Sequence, residues 1–270
     1  EKLFNAFTDY VTADENCDYC IEITKTESKI LPVKGKKLTR RNDENWYYTS
    51  DKQYVYILED PGLECITLKI TYDISAARVS AELLDIKKLF DIDPYSFAFN
   101  AMGKVFRFLT RWKDGFVIHA SSVVYDGYGI AFSAKSGTGK STHTALWLKN
   151  YPGAYILNDD TPVIRFIDGV WYICGTPWAG STGINQNSVV PLKALVFINR
   201  SKVNNIRDCS AMEAIYHFFE AIVHPVSDEI TAVILNSLNT LLQKNRVCLL
   251  GCNMEDEAAE TVRKYLFDEE

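Results

Sequence analysis

No stretch constrains this chain more than Ala134-Lys135-Ser136-Gly137-Thr138-Gly139-Lys140-Ser141-Thr142. A glycine-rich turn ending in Lys-Ser works only between a buried strand and the first turn of a helix. There the backbone N–H groups of the turn and of the helix start converge on one anion. The flanks supply both elements. Tyr128–Ser133 reads as an apolar strand, and a helix is expected from about Lys140 to Asn150. The segment therefore predicts a strand–loop–helix unit and an α/β class around it.

Loops of this kind follow GxxxxGK[ST], and here Ala134 stands in place of the first glycine. Ala134 is expected to close the strand, where φ is negative and a methyl is tolerated. Gly137 and Gly139 stand where the backbone must turn its N–H groups onto phosphate oxygens and where a side chain would clash. Lys140 supplies a point charge between the outer phosphates, and Ser141 offers a hydroxyl to Mg2+. Ser136–Thr142 is thus expected to bind a nucleoside triphosphate together with Mg2+.

The segments after the loop extend the pattern. Tyr155–Leu157 is a short apolar strand that stops at Asn158-Asp159-Asp160. In a parallel arrangement its end lies near the loop's own strand and faces the phosphates. Two adjacent carboxylates there can divide the work, one holding Mg2+ and the other taking a proton from an attacking hydroxyl. On its own, the same triplet is an ordinary Asn/Asp turn; the loop upstream favours function. Val163–Phe166 and Val170–Ile173 flank Asp168-Gly169, a hairpin signal. Further expectations are a strand over Leu192–Asn199, a helix carrying Met212, Ile215, Tyr216, Phe219 and Ile222, and a second helix over Asp228–Gln243. A strand over Arg246–Leu250 follows, and then a helix starting near Asn253 with Ala258, Ala259, Val262 and Leu266 as its buried stripe.

Upstream, Phe116–Val124 reads as one strand joined to Tyr128–Ser133 by the turn Tyr125-Asp126-Gly127. His119 lies on it, and a lone histidine on a strand is usually structural. The first part of the chain reads as β-rich, with strands over Cys20–Thr26, Trp46–Thr49, Tyr54–Glu59 and Cys65–Asp73. The spacing of Val79, Leu83, Ile86, Leu89 and Phe90 predicts a helix from Ala76 to Ile92, ended by Pro94. Another is expected from Tyr95 to Trp112. The basic run Lys34–Arg41 reads as a solvated loop. Two regions result: an N-terminal α+β region, residues 1–112, and a nucleotide-binding region, residues 113–270.

Composition narrows the partners. A formal net charge of -6 supplies no basic stripe for nucleic acid. No run of 18 apolar residues is present, so no membrane span is expected, and the first residues show no secretory leader. Seven scattered cysteines, an odd number, suggest reduced thiols in a cytoplasmic protein. Cys17 and Cys20 form a CxxC pair whose only candidate partners for a metal are Cys248 and Cys252; ordinary thiols are the expectation.

His119-Ala120-Ser121-Ser122-Val123-Val124, then Ser136–Thr142, then Asn158-Asp159-Asp160 resemble the C-terminal catalytic domain of HPr kinase/phosphorylase. The loop also resembles that of ATP-dependent phosphoenolpyruvate carboxykinase, which shares the fold. Gly175-Thr176-Pro177-Trp178-Ala179-Gly180, Pro191–Phe197 and the tail Leu250–Leu266 resemble bacterial carboxykinase-like or HPr-kinase-like proteins, some of which phosphorylate ribosomally made peptides. The resemblance spans about residues 115–266 and implies a P-loop-containing HPr kinase/carboxykinase-like core. It implies Asp159 as catalytic base, Asp160 as a neighbour that contributes to metal binding, and His119 as the residue that orients the pair. The residues themselves leave open which carboxylate is base and which is metal ligand. HPr kinases are hexameric, so the resemblance also implies a homo-oligomer. The HPr kinase signature beyond the acidic pair is absent, so HPr is not the expected acceptor. The basic residues of true carboxykinases have no counterpart.

The expected activity is transfer of the γ-phosphoryl group of ATP to a hydroxyl of a small molecule or peptide, with Lys140, His119 and Asp159 catalytic. A nucleotide-dependent regulatory module without phosphotransfer and a carboxykinase-type lyase are the alternatives.

Overall fold

A computed structural model describes residues 7–12, 16–41, 44–85, 93–222 and 227–268. The chain divides into two units, Glu1–Phe108 and Leu109–Glu270. Among the described residues, no helix is long and apolar enough to cross a membrane.

The first unit is built on β1 (Cys20–Thr26), β2 (Lys36–Arg41), β3 (Glu44–Tyr48), β4 (Tyr54–Asp60), β5 (Cys65–Asp73) and β6 (Arg78–Leu84). They form one sheet in the order β1-β6-β5-β4-β3-β2. Strands β2 to β6 form an antiparallel meander, and β1 adds in parallel to β6. Helix α1 (Pro94–Leu109) lays Phe108 against Trp46 and Tyr72, with ring centroids 4.9 and 4.3 Å apart. Ile30, Val55, Ile57 and Ile66 form a second buried cluster.

Three expectations fail in this unit. Residues 78–84 form a strand rather than part of a helix. Val79, Ala81 and Leu83 are 0%, 2% and 5% exposed while their neighbours are less buried, a period of two. The pair Val79 and Leu83 fits both one helical turn and two strand repeats, so their spacing alone does not decide. Pairing on both sides, with β1 and β5, does. The remainder of that expected helix, with Ile86, Leu89 and Phe90, lies outside the described residues. Pro94, expected to stop a helix, instead opens α1, where its missing N–H costs nothing. The Asp93 carboxylate accepts from the N–H groups of Tyr95 and Ser96 at this start. The basic run is also not a loop: it forms β2, the edge strand. Exposed Lys36 and Lys37 suit an edge, where charge discourages pairing with another chain.

The second unit carries β7 (Gly115–Val117), β8 (Ala120–Tyr125), β9 (Tyr128–Ser133), β10 (Tyr155–Asn158), β11 (Val163–Ile167), β12 (Val170–Cys174), β13 (Val189–Arg200), β14 (Asn205–Asp208) and β15 (Arg246–Cys252). The strand order is β10-β8-β9-β13-β12-β11-β7, with β15 on β13 and β14 on β15. Helices α2 (Lys140–Asn150), α3 (Ala211–Ala221), α4 (Asp228–Lys244) and α5 (Asp256–Phe267) complete it. The overall class is mixed α/β. Asp168 and Gly169 both take positive φ, 49° and 85°, as a two-residue hairpin turn requires. The stripe Ala258, Ala259, Val262 and Leu266 of α5 is buried against Val196, Leu250 and Trp147. This last helix starts at Asp256 rather than Asn253, whose side chain instead accepts from the Glu255 N–H.

The expected strand over Phe116–Val124 is broken. β7 pairs with β11, whereas β8 pairs with β9 and β10, so the chain changes partners at Ile118-His119. There the His119 N–H donates to the Ala221 carbonyl at 2.8 Å, and the Ala120 N–H to the Asp160 carbonyl at 3.0 Å.

His143, on the buried face of α2, is fully enclosed with its ring 4.5 Å from Phe132. Its Nε2 accepts the Trp147 Nε1–H at 3.4 Å, which leaves the proton on Nδ1, where it has no partner. Burial pushes its pKa down to about 4. The unfolded chain takes up this proton below pH ~6.5, whereas the folded chain resists until near 4, so His143 lowers stability as pH falls through that window. Urea unfolding of the wild type should lose about 2–3 kcal/mol more than His143→Phe between pH 7.5 and pH 4.5. Equal losses would show that His143 is not buried neutral.

Candidate functional site

β9 ends at Ser133, whose hydroxyl donates to the His119 carbonyl at 2.8 Å. The loop then turns through Gly137 at φ +76° and Gly139 at φ +118°. Gly139 is the helix cap, and its carbonyl accepts the His143 N–H that opens α2. A Cβ on Gly139 would lie 2.7 Å from Met254 Cε; a Cβ on Gly137 would meet nothing within 4 Å. Met254 is a flexible side chain that can move aside, so within the protein both glycines are required for their positive-φ backbone conformation. Inside the loop the Thr138 N–H donates to the Lys135 carbonyl at 3.1 Å. The free N–H groups of the first turn of α2 point out of its start, which makes a positive pole beside Lys140.

The acidic pair reaches the loop through the topology. β8 runs antiparallel to both β9 and β10, so β10 is parallel to the loop strand but one strand removed. The start of β8 and the ends of β9 and β10 share one edge. Asn158, fully buried, shapes the turn there. Its Oδ1 accepts the N–H groups of Asp160 and Thr161, and its Nδ2 donates to the carbonyls of Thr176 and Trp178. Thr161 also donates its hydroxyl to the Trp178 carbonyl. Ser122 on β8 fills the irregularity opposite: its hydroxyl donates to the Asn158 carbonyl and accepts the Asn158 N–H.

The two aspartates meet different surroundings. Asp159 is 7% exposed and accepts the Ser121 hydroxyl at 2.5 Å. Ser121 is 2.9 Å from the Thr144 hydroxyl, which donates to the Ser141 carbonyl in the first turn of α2. Asp160 is more open and lies 3.3 Å from His119 Nδ1. His119 Nε2 is 2.8 Å from Lys140 Nζ, which also donates to the Ala134 carbonyl at 3.2 Å. A protonated Lys140 can only donate, so Nε2 is the accepting nitrogen in that pair, and Nδ1 is the ring nitrogen nearest the Asp160 carboxylate. Burial lowers the pKa of Lys140, opposed by the charges of Asp160 and Asp159. Gly180, at φ +62°, passes so close that a Cβ there would lie 3.0 Å from that of Asp160.

Two cavities flank the loop. One, of about 350 Å³, is lined by His119, Ser136, Gly137, Gly139, Lys140, Ser141, Thr142, Asp159 and Asp160, so it gathers nearly every residue singled out in the sequence. The other, of about 770 Å³, lies on the Lys135 side and takes in Thr138, Asn199 and Tyr216. His119 and Ser136 line both. Sequence reasoning missed Ser121, Thr144, Gly180 and Arg200, whose guanidinium touches the loop. Its one usable signal was the Ser121-Ser122 doublet on the strand before the loop.

Among the described residues, no three His, Cys, Asp or Glu side chains converge on a metal position. Ser141 and the acidic pair offer oxygen donors alone. That set fits Mg2+, which takes one or two carboxylates and completes its shell with substrate phosphates and water. Cys17 and Cys20 are exposed free thiols, and Cys248 and Cys252 are buried on β15.

No known family model matches this chain, and no curated protein matches it. Among solved structures, the HPr(Ser) kinase/phosphatase from Coxiella burnetii aligns over 47% of this chain and 91% of that one. Identity is 14% and the TM-score 0.28, too loose a likeness to carry weight for fold or activity.

Proposed function

We propose that this chain is an ATP- and Mg2+-dependent kinase that passes the γ-phosphoryl group to a hydroxyl of a small molecule or a peptide. The observation that carries the reading is the chain of contacts from Lys140, 2.8 Å from His119 Nε2, to Asp160, 3.3 Å from His119 Nδ1. It links a loop suited to polyphosphate with a carboxylate suited to taking a proton. A structural ion pair needs no histidine between its partners; a proton acceptor next to a phosphate site gains from one that fixes its orientation.

The geometry favours the reverse of the division of labour that the resemblance implies. We assign the base role to Asp160, the more open carboxylate, which has His119 Nδ1 3.3 Å away to orient it. Asp159 is held by Ser121 on the side of α2, where Ser141 offers its hydroxyl, so these two would hold Mg2+. Bound there, Mg2+ would offset charge on the outer phosphates. Lys140 would leave the Ala134 carbonyl for a phosphate oxygen, a stronger charge-assisted partner. The helix start and the turned loop would hold the remaining oxygens.

Titration of Mg·ATP by calorimetry tests the loop. Lys140→Ala should lose measurable affinity or turnover while its circular dichroism stays that of the wild type. Equal affinity and equal turnover would remove the loop from the mechanism.

The acidic pair is tested by ATP hydrolysis across Mg2+ concentrations, with water as the acceptor. Asp160→Asn should bind Mg·ATP normally and lose ~10²–10⁴-fold in turnover, the usual range for a lost general base. Asp159→Asn should raise the Mg2+ concentration needed for half-maximal rate. The opposite pattern would restore Asp159 as base. Tight nucleotide binding with no turnover change in either variant would instead support a regulatory module. CO2 release from oxaloacetate would identify a lyase.

A further inference from the structure

We propose that Arg200 is a positioning residue for the phosphate loop, holding its peptide groups in the orientation that receives polyphosphate. This rests on the reading that the loop binds Mg·ATP. β13 runs parallel to β9, with Phe197 opposite Ser133, so both chains leave the sheet at the same edge. β9 ends there in the loop. β13 continues for three residues because β15 pairs with it as far as Arg200, opposite Cys252. The Ser201 N–H then donates to the Cys252 carbonyl at 2.9 Å. Arg200 therefore stands beside the loop on a fixed strand end rather than on a loop of its own.

Its exposed guanidinium donates from Nη2 to the Gly137 carbonyl at 2.6 Å and from Nε to the Thr138 carbonyl at 3.4 Å. A trans peptide group is planar, with its C=O and the next N–H pointing opposite ways. The Thr138 N–H is taken up inside the loop by the Lys135 carbonyl, so it is the Thr138 carbonyl, turned toward Arg200, that leaves the next N–H, that of Gly139, directed away from it, beside the N–H groups that start α2. Successive N–H groups on one side of a turn that includes a positive-φ glycine form an anion-binding concavity. Arginine suits this task because its planar fork makes two directed bonds; a lysine offers a single point charge.

The test compares wild type, Arg200→Ala and Arg200→Lys in calorimetric titrations with Mg·ATP, with melting temperatures measured in parallel. Arg200→Ala should bind at least about tenfold more weakly, as expected for the loss of charge-assisted hydrogen bonds. Arg200→Lys should fall between the two, and all three should melt alike because Arg200 lies at the surface. Amide exchange at Thr138 and Gly139 in the nucleotide-free protein should quicken in Arg200→Ala. Affinity within twofold of the wild type in Arg200→Ala would overturn the proposal. So would a weakening that a fallen melting temperature accounts for, because the residue would then serve stability alone. A wild type that fails to bind Mg·ATP would instead remove the proposed function, and this role with it.

Discussion

Everything at the candidate site depends on β8 lying antiparallel between β9 and β10. That pairing sets the first residues of one strand beside the last residues of two others. His119 thereby reaches both Lys140 and the acidic turn, and Ser121 joins that turn to α2, without any long connection. The arrangement brings polar groups into a buried sheet edge, which would be costly if they were unpaired. Ser121, Ser122, Thr144, Asn158 and Thr176 are all buried, and all are hydrogen-bonded. Such a network tolerates little change, since removing one member strands another. It gives the aspartates fixed positions, which a site for directed proton transfer needs.

The same edge sets the electrostatics. Lys140 is half-buried, and that burial works against its charge. The carboxylates of Asp160 and Asp159 offset part of the cost, and His119 spreads the contact between lysine and acid. A polyphosphate entering this space would bring more negative charge than the two carboxylates. It would compete with them for Lys140, and a divalent cation would relieve the repulsion between ligand and acidic pair. A cation and a nucleotide are therefore expected to enter together, each reducing the cost of the other.

How much could be read beforehand varied with how local the cause was. The loop, α2 and the hairpin at Asp168-Gly169 were legible because glycine conformation and helix capping act over a few residues. The strand β6 was not, because Val79 and Leu83 fit two periods and only the neighbours β1 and β5 decide between them. The break at His119 was hidden for a similar reason. Phe116, Val117, Val123 and Val124 are apolar on both sides of it, and the change of partner strand leaves no mark in composition. The edge strand β2 was masked by its lysines, which protect an edge as readily as they solvate a loop. In the site, residue types were legible and their relations were not. Arg200 follows an apolar strand like many surface arginines, and nothing nearby in the chain points it at Gly137, sixty-three residues away.

The adjacent aspartates show where that limit lies. Asp159 and Asp160 are chemically identical, and pattern alone treats them as one feature. What separates them is Asn158, whose Oδ1 captures the N–H groups of Asp160 and Thr161 and bends the chain immediately after β10. One carboxylate is then directed inward to Ser121 and the other toward His119. Gly180 lies against the second, and a side chain there would press on it. An asparagine that reads as an ordinary turn residue thus assigns the two acids their different surroundings. A turn and a catalytic pair are not competing readings of Asn158-Asp159-Asp160, because forming the turn is what makes the pair unequal.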